Sequence, residues 1–131
     1  MRSDFPAGLD RSTIEYILEH DDEVLTVERI DGATALWKIS VSVDGRDPVV
    51  MVLDNGVNEI YVQALLAIDH EHIADALSAV GPIAVVGVAI LEDTLYMRSG
   101  FFIEHSTMHA LTNSYCGLAY AYWRYQQAIE G

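Results

Sequence analysis

"ATALWKISVSVDG", residues 33–45, is the stretch on which the fold class turns. Ala35, Trp37, Ile39, Val41 and Val43 occupy every second position, with Thr34, Lys38, Ser40 and Ser42 among the residues between them. Side chains of a strand point alternately to its two faces, so this spacing predicts a strand with one buried and one wet face. Such a strand needs a sheet around it and a cover on one side. The flanking sequence offers both.

On the N-terminal side, "DG" at Asp31 and Gly32 supplies the positive φ angles of a tight hairpin. It leads back to a strand from Glu23, in which Leu25 and Val27 alternate with Thr26 and Glu28. Before that strand, Ser12 and Glu15 have the spacing of a capping box, which predicts a helix over 12–21 with Ile14, Ile17 and Leu18 on its apolar face. Residues 1–10 read as a loosely ordered arm.

On the C-terminal side, the turn "DGRD" at 44–47 leads into "PVVMVLD". "NG" at Asn55 and Gly56 then marks a turn or a bulge, so "NEIYVQALLAI" is either a separate strand or a continuation. Asp69 is placed to cap a second helix over about 70–79, with Ile73, Ala76 and Leu77 facing inward and Gly81 and Pro82 ending it. Two strands follow, about 83–91 and 94–103, joined at "EDT". The first contains "IAVVGVAI", apolar on both faces, and reads as a central, covered strand. A last helix runs from Ser106 or Thr107 to Ala128. The order is α, three or four β, α, β-hairpin, α, a single α+β domain over 1–131 with helices packed on a mainly antiparallel sheet.

A chain of 131 residues with 51% hydrophobic composition buries a core without disulfides or structural metal. Its 20 acidic residues against 7 basic ones give a formal charge of −13, a field that repels nucleic-acid backbones and anionic membrane surfaces. A basic segment of a partner would complement it. The single Cys116 cannot form an intramolecular disulfide, and "MRSDFPAGLD" lacks the apolar run of a signal peptide, which points to the cytoplasm. The apolar stretch from Val80 to Leu91 is too short to cross a bilayer.

The last helix carries the strongest pattern. Met108, Leu111, Tyr115, Leu118, Tyr122, Tyr125 and Ile129 form a stripe at helical spacing, and Cys116, Tyr120 and Trp123 lie rotated away from it. One sheet face covers one side only. The rest is shielded by another element, by a second copy or by a client, which makes Tyr115, Tyr120, Tyr122, Trp123 and Tyr125 candidates for an interaction surface.

"DHEHIAD", residues 69–75, has the densest group of metal-type donors, but on a helix His70 and His72 project about 200° apart and cannot share an ion. Asp69 then reads as a cap, and Glu71 and Asp75 as acids suited to the helix N-terminus. His105 and His109 add a second pair that would meet His72 only through the fold. Cys116, mid-helix among apolar neighbours, reads as a small buried residue rather than a nucleophile. There is no phosphate-binding glycine loop and no serine elbow. No catalytic residue, cofactor or metal is assigned.

The order of elements, with "HEHIADALSAV", "AVVGVAILEDTLYMRSGFFI" and "HSTMHALTNSYCGLAYAYWRYQQAI" following one another, resembles the type III secretion chaperone-like fold and its YbjN-like branch, described as bacterial sensory transduction regulators. The resemblance spans about residues 10–130 and lies in topology, α-β-β-β-α-β-β-α, without a diagnostic motif. It implies a non-enzymatic homodimer that offers an apolar groove to a protein segment or regulates a partner. The expected function is therefore protein interaction through the sheet face or the aromatic surface of the last helix. The alternative is a small-ligand or metal-binding pocket between that helix and the sheet, with His72, His105 and His109 as its polar groups.

Overall fold

The computed structural model describes residues 8–32, 35–56, 58–67, 72–104 and 106–130. Helix α1 spans Arg11–His20, followed by strands β1 (Val24–Ile30), β2 (Ala35–Val41), β3 (Val49–Asn55) and β4 (Glu59–Ala67). Helix α2 (Ile73–Val80), strands β5 (Gly87–Leu91) and β6 (Thr94–Phe102), and helix α3 (Met108–Glu130) complete the chain. The six strands form one sheet in the order β1-β2-β3-β4-β6-β5, antiparallel at every pairing. The α+β class expected from the sequence is thus the observed one. "NEIYVQALLAI" resolves as a separate strand, β4, so four strands precede α2 and the expected order α-β-β-β-α-β-β-α is corrected to α-β-β-β-β-α-β-β-α.

The alternation in β2 does what its spacing demands. Trp37, Ile39 and Val41 are buried, and the register aligns Trp37 with Leu53, Ile39 with Met51 and Val41 with Val49 on the neighbouring strand. Across β4 and β6 the same face continues through Ile60, Val62, Ala64, Leu95 and Met97, and the buried residues of all three helices join it in one core. At about 25 cal/mol per Å², removing such side chains from water is the main force holding the helices on the sheet. α3 contributes Leu111, Tyr115, Leu118 and Tyr125, the inner part of the stripe read from the sequence.

Three further expectations are corrected. The cap of α1 is Asp10, whose Oδ1 accepts the Thr13 N–H at 2.8 Å, so the helix starts one residue before Ser12. Glu15 does not reach back to the cap; it accepts from Arg29 Nη1 on β1 at 3.0 Å. β5 is an edge strand and not a central one, because the apolar run divides. Ile83–Val86 turns against α3, where a Cβ on Gly117 would meet Val85 at 3.1 Å and Val86 at 3.5 Å, and only Gly87–Leu91 enters the sheet. The second helix begins at Ile73 with His72 at its N-cap and no side-chain capping bond. The expected cap Asp69, with His70, Glu71, His105, Thr34 and residues 1–7 of the expected arm, lies outside the described residues. Within that arm Leu9 is buried in the core, and its N–H donates to Ser106 Oγ at 2.9 Å.

No helix is long and apolar enough among the described residues to cross a membrane.

Candidate functional site

The aromatic side chains of α3 are largely taken up inside the protomer. Tyr115 and Tyr125 are buried in the core. Tyr122 is half-buried, and its hydroxyl donates to the Leu65 carbonyl at the end of β4, 3.2 Å away. Desolvation raises its phenol pKa. Tyr120 and Trp123, also half-buried, stack with centroids 5.8 Å apart, and Arg46 from the β2–β3 turn lies 3.9 Å from the Trp123 ring centroid. A guanidinium over an indole face is attracted by the ring quadrupole, so Arg46 shields this patch. Farther along, Arg124 Nε donates to the Ala79 carbonyl of α2 at 3.0 Å. Of the five residues expected to form a surface, Tyr120, Tyr122 and Trp123 keep partial exposure.

The same helix meets the α1–β1 turn in a polar cluster. Tyr115 donates its hydroxyl to Asp21 Oδ2, Asp21 Oδ1 accepts the Glu23 N–H at 2.9 Å, and Cys116 Sγ donates to Glu23 Oε1 at 3.4 Å. Among the described residues, Asp21, Glu23 and Cys116 form the convergent group of three metal-type donors. Burial, followed by the hydrogen bond to Glu23, pushes the Cys116 thiol far above its usual pKa, and burial with the bond to Asp21 does the same to the Tyr115 phenol. A thiol held protonated in this way is a poor nucleophile. The cluster acts as a hydrogen-bonded latch between α3 and the turn. Thiol labelling checks it: native Cys116 should react at least about tenfold more slowly than a free cysteine at pH 8, because rate follows thiolate fraction and access. Glu23→Gln removes an anion that opposes ionisation and should accelerate labelling; an unchanged rate contradicts the latch.

His72 Nδ1 pairs with Asp75 Oδ2 at 3.1 Å on the first turn of α2, and His109 is exposed on α3. Neither belongs to a group of three metal-type donors among the described residues. The expected joint site with His105 falls partly outside them.

The other expected surface, the sheet face, was named from the sequence without its residues; it is the second face of the sheet. All three helices pack on the Trp37 face, so the opposite row remains open. Register defines it: Glu28 stands opposite Lys38, Lys38 opposite Val52, Val52 opposite Gln63, and Gln63 opposite Arg98. Alongside lie Val50, 55% exposed, Leu65, 52%, and Phe102, 70%. Near β6 the face is polar: Tyr61 donates to Asp54 Oδ2 at 3.0 Å and lies under the Arg98 guanidinium, 4.9 Å from the ring centroid. A cavity of about 370 Å³ opens beside them, with Glu59, Gly100 and Val85 in its lining. The sequence did hold a signal. "VVMVL" at 49–53 is apolar at every position, the pattern of a strand covered on both faces, although helices cover only one.

The strands of this face carry Lys38 and Arg98 against Glu28, Asp54 and Glu59, a formal −1 where the whole chain carries −13. Its charge is thus close to balanced. Neither the protein-family models nor the curated proteins contain a match to this chain.

Proposed function

We propose that the chain is a non-catalytic protein-interaction domain of the secretion chaperone-like, YbjN-like kind, which associates through the open face of its sheet, a second copy being the first occupant. The observation that carries this reading is the exposure of Val50, Val52, Leu65 and Phe102 on a face that no helix covers. Six strands about 4.8 Å apart and about seven residues long at ~3.3 Å each offer roughly 650 Å² on one face. Two such faces hide about 1,300 Å², within the range of about 1,200–2,000 Å² of stable interfaces. A two-fold contact uses the same patch on both copies, and the mixed signs of Lys38, Arg98, Asp54 and Glu59 permit that self-pairing. The aromatic end of α3 supports the reading less, since Arg46 and Leu65 already occupy its polar and cationic contacts.

Sedimentation velocity tests which surface associates. The wild-type chain is expected to sediment as two copies at micromolar concentration, and Val52→Glu with Leu65→Glu as one. The monomeric variant should remain folded, because both side chains are exposed in the protomer, with a melting temperature lowered only by the loss of the second copy. Trp123→Ala should leave the two-copy species in place. The opposite pattern, dissociation by Trp123→Ala alone, would move the contact to α3.

A further inference from the structure

Between the end of α1 and the start of α3 lies a cavity of about 520 Å³ that neither the core nor the sheet face uses. One wall is flat and aromatic. Tyr16 and His20, one helical turn apart, stack with centroids 4.0 Å apart and an interplanar angle of 21°, and His20 Nδ1 is 2.8 Å from the Tyr16 carbonyl. Opposite stands the Met108 thioether, 52% exposed, while Tyr16 is 62% exposed. Large apolar groups left in water on both sides of a cleft mark a place where an apolar body would be desolvated. The volume falls within the range of about 300–1,000 Å³ typical of small-molecule sites.

The remaining rim is acidic. Asp21, Asp22 and Glu23 follow one another along the cavity edge, and among the described residues none of them has a Lys or Arg partner in an ion pair. Asp21 and Glu23 are fixed in position by the Tyr115 hydroxyl and the Cys116 thiol, so a cation arriving there meets carboxylates that are already ordered. Both hydrogen bonds supply neutral donors. They orient the carboxylates without neutralising their charge. Stacked rings beside carboxylates are the two elements that recognise an organic ammonium group, through ion pairing and through the electron-rich ring face. A bare metal ion would use the carboxylates but not the apolar walls.

From this geometry we infer that the α1–α3 cavity is a binding site for a small aralkylammonium compound, whose ammonium group sits among Asp21, Asp22 and Glu23 and whose apolar body lies between the Tyr16–His20 stack and Met108. The inference is independent of the sheet-face reading and stands or falls separately from it.

The probe is 2-phenylethylammonium, with 2-phenylethanol as its neutral counterpart, titrated into the full chain while the Met108 methyl resonance is followed. The ammonium is expected to give saturable shifts with a dissociation constant of about 1 mM or tighter. The alcohol should bind at least about fivefold more weakly, since it forms no ion pair. Two exposed positions are changed to limit effects on folding: Asp22→Asn should weaken binding by roughly two- to fivefold, and Tyr16→Ala by more. Equal affinity for amine and alcohol, a Met108 methyl that does not move, or unchanged binding in Tyr16→Ala would each overturn the inference. So would a lysine-containing peptide that binds where the free amine does not, because the occupant would then be a partner chain.

Discussion

Tyr115→Ala is expected to cost about 3–5 kcal/mol, the range for deleting a large buried aromatic side chain. Small domains have only about 5–15 kcal/mol in total, so much of the native stability goes with this one ring. The ring is fully buried in the face of α3 that packs on the sheet, and its hydroxyl reaches Asp21 across 94 residues of sequence. Tyr115→Phe separates the two contributions: the ring remains and the hydrogen bond goes, at about 1–2 kcal/mol for a carboxylate left without its donor. pH adds a signature. Burial, then Asp21, raises the phenol pKa in the folded state above its ordinary value near 10. A group whose folded pKa is raised contributes stability that is complete below its unfolded pKa and is lost as pH rises toward the folded value. Denaturant titrations from pH 8 to 11 should therefore show wild type losing stability above about pH 10, and Tyr115→Phe losing less. Parallel decline of the two proteins would mean that the phenol is not held as described.

Gly8→Ala is the second large effect, and it comes from the backbone. Gly8 has φ +80, and a Cβ there would lie 1.8 Å from the Ile103 carbonyl oxygen and 2.8 Å from Ser106 Oγ. Because a carbonyl cannot yield as a side-chain end can, the segment before α1 must move. Leu9 then leaves the core, and its N–H loses Ser106. Left-handed strain of about 1 kcal/mol, together with lost burial of a leucine at about 1.5–3 kcal/mol, brings the expected cost to roughly 2–4 kcal/mol. Gly45→Ala is the control, since Gly45 has φ +72 with nothing near its missing Cβ. It should cost about 1 kcal/mol, the strain alone. Equal costs at the two glycines, measured by thermal or urea denaturation, would contradict the packing of residues 8–10.

The sequence was informative where local pattern and tertiary environment agree. Trp37, Ile39 and Val41 alternate because β2 has helices on one face and none on the other. Ile14, Ile17 and Leu18 mark the inner side of α1 for the equivalent helical reason. Local chemistry was ambiguous where several residues could do one task. Asp10 and Ser12 are both good caps; in the fold Asp10 caps the helix while Glu15, the other half of the expected capping box, pairs with Arg29 on β1. In "IAVVGVAI" hydrophobicity alone could not distinguish a buried strand from a turn packed on Gly117 followed by an edge strand.

The candidate site was the least legible part, because its partners are distant in the chain. Nothing near Tyr122, Cys116 or Trp123 announces Leu65, Glu23 or Arg46, which satisfy these side chains from 57 or more residues away. Aromatic density is highest on α3, where the fold itself supplies much of the cover. The open sheet face has no concentrated motif. Its trace is an excess of apolar residues in β3 and β4 beyond what one layer of helices can cover.

Hydroxyl-radical labelling of Phe102 across a concentration series tests the sheet-face account most directly. Phe102 lies on the open face and Tyr16 on α1, and both are strongly exposed in the protomer, so Tyr16 serves as the internal reference. The account predicts that labelling of Phe102 relative to Tyr16 falls severalfold from nanomolar to high-micromolar protein, and that Val52→Glu with Leu65→Glu abolishes the fall. A Phe102 labelling rate that stays constant while the chain associates would contradict it.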